Sequence, residues 1–271
     1  VNAAAALVAL VLALSLAAPV AAGRLEDGKV AYHGGDYATA LRFWRPLADQ
    51  GDPDAQFNLG VMYENGQGVS RDYAEALKWY RKAAAQGNAS AQFNLGGMYD
   101  NGQGVPQDYA EALKWYRKAA DQGVPVAQFN LGLMYYNGQG VPQNYAEAGQ
   151  WYRKAADQGN VNAQFNLGFM YQAGQGVPED FAEAAKWYRK AADHNNPSAQ
   201  SSLGLLYEAG LGVPQDYVQA HKWYNLAAAH FPASEGTLRD MTVESRARVA
   251  NKMTPEQVAE AQKLAREWKP K

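Results

Sequence analysis

The chain contains no cysteine. Disulfides, thiolate zinc sites and lipoprotein attachment are therefore excluded, and stability has to come from packing. Charge is also sparse. Charged residues make up 19% of the 271 residues and the formal net charge is −2, so no global field recruits nucleic acid or acidic lipid. The four histidines, His33, His194, His221 and His230, stand in no H-E-x-x-H or other metal-ligand spacing. No serine has a lysine three residues later, no G-x-S-x-G occurs, and there is no Walker or Rossmann phosphate loop. Neither a catalytic residue, a metal nor a cofactor is assigned. The recurring Asp and Glu residues are read as helix caps, since five copies of one carboxylate pattern do not make one acid–base dyad.

What is present is 47% hydrophobic residues, a globular composition. The apolar run Ala3 to Gly23 breaks at Pro19 and offers Val20-Ala21-Ala22, small residues at the positions a signal peptidase reads. A secretory signal over residues 1–22, cut after Ala22, is the expectation. Its rival is an uncleaved membrane anchor, because the run is nearly long enough to span. Either way the remainder is expected outside the cytoplasm, periplasmic or secreted, in a bacterium.

The rest of the chain repeats itself. Asp36, Asp72, Asp108, Asn144, Asp180 and Asp216 are each 36 residues apart, and each precedes an aromatic residue. Trp79, Trp115, Trp151, Trp187 and Trp223 keep the same step, as do Gly66, Gly102, Gly138, Gly174 and Gly210.

Each period predicts two helices. In DYAEALKWYRKAADQG, Asp108 to Gly123, the aspartate suits the N-cap and Glu111 is placed to complete a capping box. Tyr109, Ala112, Leu113, Tyr116, Ala119 and Ala120 share one apolar face, and Gly123 ends the helix. The other helix starts at a cap followed by proline in Asp52-Pro53 and Asn196-Pro197. Ala127, Leu131, Met134 and Tyr135 form its apolar face. A short hairpin cannot bury both faces alone, so each copy must supply the wall its neighbour needs. The reading is all-α: a solenoid of tandem 36-residue helix-turn-helix repeats, with an N-terminal capping hairpin at 23–51, five units at 52–231 and a C-terminal helical cap at 232–271.

The units A-Q-F-N-L-G-x-M-Y-x-x-G-Q-G-V and D-Y-A-E-A-x-x-W-Y-R-K-A-A resemble Sel1-like repeats, relatives of tetratricopeptide repeats. The resemblance covers Asp36 to about His230. It implies a right-handed superhelix used as a protein-interaction scaffold, bacterial and secreted or periplasmic in type. Many secreted relatives clip each repeat with a disulfide, a device this chain lacks.

A partner surface can be placed by helical geometry. With Leu59 as the core direction, Phe57, Val61 and Glu64 point the opposite way, the side that lines the concave groove of a two-layer solenoid. One column along this face is Phe57, Phe93, Phe129, Phe165 and then Ser201. The next is Val61, Gly97, Leu133, Phe169, Leu205, and a third is Glu64, Asp100, Tyr136, Gln172, Glu208. Candidate partner-binding residues are thus Phe57, Val61, Glu64, Phe93, Asp100, Phe129, Leu133, Tyr136, Phe165, Phe169 and Gln172, an aromatic floor suited to an extended or helical peptide. The competing reading packs the phenylalanines between repeats. Asn58, Asn94, Asn130 and Asn166 are expected to brace the backbone between copies. Lys78, Arg81 and Lys82, repeated in later copies, are read as a wet outer face rather than a phosphate site, because Glu75, Glu111, Glu147 and Glu183 share it.

The functional expectation is a non-catalytic scaffold of the bacterial envelope that grips a peptide or protein partner. No nucleic acid is expected, and no membrane contact beyond the first segment. The alternatives are an envelope enzyme or a glycan- or β-lactam-binding protein, activities that the resemblance associates with some relatives, and a structural spacer.

Overall fold

The computed structural model describes residues 23–270; the expected signal segment, 1–22, lies outside them. Among the described residues the structure is helical throughout, with no strand. It divides into two compact units, the first ending at Gln122 and the second beginning at Gly123. The first holds α1 (residues 23–33), α2 (Tyr37–Asp49), α3 (Pro53–Asn65), α4 (Tyr73–Ala85), α5 (Ala89–Asn101) and α6 (Tyr109–Asp121). The second holds α7 (Pro125–Asn137), α8 (Tyr145–Asp157), α9 (Val161–Ala173), α10 (Phe181–Asp193), α11 (Pro197–Ala209), α12 (Tyr217–His230), α13 (Gly236–Ala250) and α14 (Pro255–Glu267). No described helix is long and apolar enough to cross a membrane.

Capping sets the helix starts. The Asp72 carboxylate accepts from the amides of Ala74 and Glu75 at 2.9 and 3.1 Å, and Asp108 does the same for Ala110 and Glu111. The expected capping box at Glu111 does not form. One aspartate already serves both amides, and Glu111 instead pairs along the helix with Lys114 at 3.2 Å, as Glu75 does with Lys78 at 3.1 Å. Among the described helices the reciprocal box appears at α14, between Thr254 and Gln257.

The turn glycines do more than permit a turn. Gly66 ends α3 with φ +69°, its amide returning to the Met62 carbonyl. Gly68, also at positive φ, abuts the preceding hairpin: a Cβ there would fall 2.9 Å from the Tyr37 Cβ. Only glycine meets both demands.

Neighbouring hairpins share cores. In the first unit Leu95 and Met98 of α5 pack with Ala76, Tyr80, Ala83 and Ala84 of α4, all buried. In the second, Leu203 and Leu206 pack with Tyr188, Ala191 and Ala192 of the preceding hairpin and with Trp223. The mutual sheltering read from the repeat is therefore what buries the apolar faces.

Without disulfides, the long-range ties within hairpins, and from one hairpin to the loop before it, are polar. Gln86 donates to the Gln56 side chain at 2.8 Å and to the Gly51 carbonyl at 2.9 Å, and Gln122 repeats the pattern on Gln92 and Gly87. Gln158 reaches Gln128 at 2.8 Å, and in the last hairpin His230 replaces the glutamine, its Nδ1 2.9 Å from the Gln200 side chain. Burial holds His230 below its usual pKa, so it is a neutral brace. Among the described residues no three potential ligand side chains come together to hold a metal ion.

The basic stripe of the second helices is engaged by its own aromatics. The Lys82 ammonium lies 4.2 Å from the Trp79 ring centre, Lys154 3.8 Å from Trp151, and Lys190 3.8 Å from Trp187. Arg81 reaches forward to the Tyr99 hydroxyl at 2.6 Å, and Arg189 to Tyr207 at 2.7 Å. The arginines thus fasten one hairpin to the next, while the lysines cover tryptophans of their own helix.

Candidate docking face

The phenylalanine columns are neither core nor fully open. Phe57, Phe93, Phe129 and Phe165 are all half-buried. Each lies against the tyrosine of the second helix in its own hairpin, with ring centres 5.9, 5.7, 5.8 and 5.7 Å apart for Tyr80, Tyr116, Tyr152 and Tyr188 respectively. Each ring is therefore covered on its tyrosine side and remains half-buried.

A glycine makes this stacking possible, and sequence reasoning missed it. In each F-N-L-G segment the glycine stands three residues after the phenylalanine. A Cβ on Gly60 would fall 2.4 Å from the Tyr80 ring, and Cβ atoms on Gly96, Gly132 and Gly168 would fall 2.6–2.7 Å from their tyrosines. The tyrosine ring lies against bare backbone, which brings it level with the phenylalanine. The repetition of Gly within a helix, where it costs about 1 kcal/mol relative to alanine, was the available signal.

The third column is tied to the same tyrosines. Tyr80 donates to Glu64 at 2.5 Å, Tyr116 to Asp100 at 3.3 Å, Tyr188 to Gln172 at 2.7 Å and Tyr224 to Glu208 at 3.0 Å. Burial raises the pKa of Tyr80, and its bond to the Glu64 carboxylate raises it further, so the hydroxyl stays protonated and donating. Burial likewise lifts the Asp100 carboxyl above its ordinary value, with the Tyr116 hydroxyl partly offsetting the rise. Tyr136 breaks the pattern: its hydroxyl donates to Gln175 at 2.9 Å and its ring packs on Tyr145 at 5.0 Å. Within the asparagine column Asn94 braces a side chain, not the backbone as expected. Asn94 donates to the Tyr80 hydroxyl at 3.0 Å.

Cavities lie along this face. In the first unit one of about 340 Å³ is bounded by Phe57, Val61, Trp44 and Tyr32. In the second unit Leu133, Tyr136, Phe165 and Phe169 bound one of about 350 Å³. Another, of about 440 Å³, is bounded by Phe165, Phe169, Gln172, Leu205, Leu238 and Met241. Phe169 is 40% exposed, Leu205 43% and Met241 59%, an apolar rim that an ordinary solvated helix face would not carry. Glu64, Phe93, Asp100 and Phe129 line none of these three cavities.

A Sel1 repeat family model matches the chain six times, over residues 23–52, 53–88, 89–124, 125–160, 161–196 and 197–230. The chain belongs to the Sel1 repeat family. The first match falls on the hairpin read from sequence as an N-terminal cap. Among solved structures the chain is similar to a Sel1 repeat protein from Oxalobacter formigenes, at 33% identity over 90% of this chain and 99% of that one, with a TM-score of 0.77. It is also similar to c5321, a protective antigen of uropathogenic Escherichia coli with the Sel1-like repeat fold, at 34% identity and a TM-score of 0.76. That match covers 91% of this chain but 61% of the length of c5321. A search of curated proteins finds no match. Sel1 repeat proteins are generally protein-interaction scaffolds and typically non-enzymatic.

Proposed function

We propose that this chain is a non-catalytic scaffold of the bacterial cell envelope that holds a peptide segment of a protein partner on its phenylalanine face. The observation that carries the reading is the half-covered aromatic column: each Phe is backed by a Tyr, and in the second unit Phe165 borders a cavity with exposed Phe169 and Leu205. Burying that rim against a partner would contribute about 25 cal/mol per Å² of apolar surface removed from water. The envelope location rests on the apolar run ending in Ala21-Ala22.

The test combines binding and stability. Phe169→Ala and Leu205→Ala are expected to abolish capture of an envelope partner while leaving helicity and thermal midpoint within a few degrees of the parent. Capture that survives both changes overturns the assignment of this face.

A further inference from the structure

The clearest indication of what the face receives comes from the C-terminal cap. Glu208 of α11 accepts two hydrogen bonds from the Arg248 guanidinium, Nε to Oε1 at 3.0 Å and Nη2 to Oε2 at 2.9 Å, besides the one from the Tyr224 hydroxyl. Arg248 belongs to α13, the helix that follows the last hairpin. The register of α13 follows from its buried residues: Thr242 and Val249 lie seven apart, as Ala91 and Met98 do in α5, which sets Ser245 against Asn94. Arg248 stands three residues after Ser245, and Gly97 stands three residues after Asn94. Gly97 is therefore the counterpart of Arg248, and Glu64 the counterpart of Glu208.

At this earlier site the carboxylate is present and the cation is missing. Glu64 holds the Tyr80 hydroxyl at 2.5 Å, and no ion pair to it occurs among the described residues. The position from which an arginine would reach it is open. A Cβ on Gly97 would meet only the Tyr116 hydroxyl, at an ordinary 3.6 Å. Its neighbour Gly96 is required by packing, since a Cβ there would fall 2.7 Å from the Tyr116 ring. Gly97 answers no such demand, is not at positive φ, and still occupies a helix interior where glycine is unfavourable. In the second unit the corresponding positions carry Leu133, Phe169 and Leu205.

We infer that the slot between Glu64 and Gly97 receives an arginine side chain of the partner peptide, seated as Arg248 is seated on Glu208. The inference rests on the docking face proposed above and names the chemistry of its guest. A guanidinium there makes a bidentate, charge-assisted pair with a half-buried carboxylate, stronger than an exposed ion pair. Phe57 and Phe93, on the two hairpins that form the slot, offer ring faces to apolar residues flanking the arginine. Asp100, on the same helix as Gly97, adds a second negative charge. The guest is an arginine set between apolar side chains.

Acetyl-Leu-Arg-Phe-amide and its citrulline twin, which keeps the shape and loses the charge, are titrated into the ¹⁵N-labelled protein. Saturable amide shifts are expected at Gly97, Asn94 and Glu64 with the arginine peptide, at an affinity about tenfold above that of the twin, the scale of one charge-assisted pair. Glu64→Gln should remove the difference between the peptides. Gly97→Arg should supply the cation internally and silence the response at an unchanged or higher thermal midpoint. Equal affinity of the two peptides at Phe57 and Phe93 overturns the arginine slot and leaves the docking face standing. Shifts confined elsewhere, or none, also overturn the slot, while partner capture through Phe169 and Leu205 tests the face separately.

Discussion

Tyr80 lies across the backbone of Gly60 so closely that a methyl group there would sit 2.4 Å from its ring. That approach levels Tyr80 with Phe57 and leaves its hydroxyl directed at Glu64. Three features of the face, the stacked ring, the held carboxylate and the half-open phenylalanine, depend on one absent side chain.

Gly60→Ala is accordingly expected to destabilise the protein by about 1–3 kcal/mol through overpacking, despite the better helix propensity of alanine. Gly97→Ala, where the Cβ would make only an ordinary 3.6 Å contact, should be neutral or stabilising by up to about 1 kcal/mol. Urea denaturation of the two variants checks the contrast; equal effects would show that the tyrosine yields freely.

Phe93→Ala removes a ring that is half-buried against Tyr116. Full burial of phenylalanine is worth about 3–5 kcal/mol, so a loss of about half that is expected, with helicity retained. A loss at the full-burial value would place Phe93 in the core.

The Glu208 carboxyl is held below its ordinary pKa, chiefly by the hydrogen bonds from Arg248, with Tyr224 and Lys252 adding to the effect. A depressed carboxyl stabilises the fold fully above its unfolded value of 4.5 and loses that contribution as pH falls through the folded value. Glu208→Gln should lower stability at neutral pH and flatten the acid limb of the pH–stability curve. Thermal melts between pH 3 and pH 7, scanned in about half-unit steps, measure it.

His230 is shifted the other way in charge terms: burial favours its neutral form and lowers its pKa below 6.5. The unfolded chain then binds more protons just below that value, so stability falls as pH drops from 6.5 towards the folded pKa. His230→Gln restores the residue that Gln86, Gln122 and Gln158 supply in other hairpins and should remove this component. The readout is the difference between wild-type and variant midpoints at pH 5 and pH 7.5, which would vanish if His230 were solvated.

The repeats, the paired helices, their caps and the turn glycines were legible in the residues, because each is set by local rules applied copy after copy. Leu59, Leu95 and Leu131 mark the core by helical period alone, and all are buried. The Phe column was legible as a face but not in its degree of cover. That depends on how near the second helix approaches, which Gly60 and its counterparts decide through space. The capping box expected at Glu111 failed for a similar reason, since a lysine one turn away competes for the same carboxylate.

The sequence by itself determined the period, the all-helical hairpins and the inward and outward sides of each helix, since these follow from backbone geometry and the spacing of apolar residues. Tertiary structure alone decided which outward groups are engaged. Gln86 meets the Gly51 carbonyl across 35 residues and Arg248 meets Glu208 across 40. Contacts of that span are fixed by the packing of one hairpin on the next, a relation that no local pattern of residues encodes.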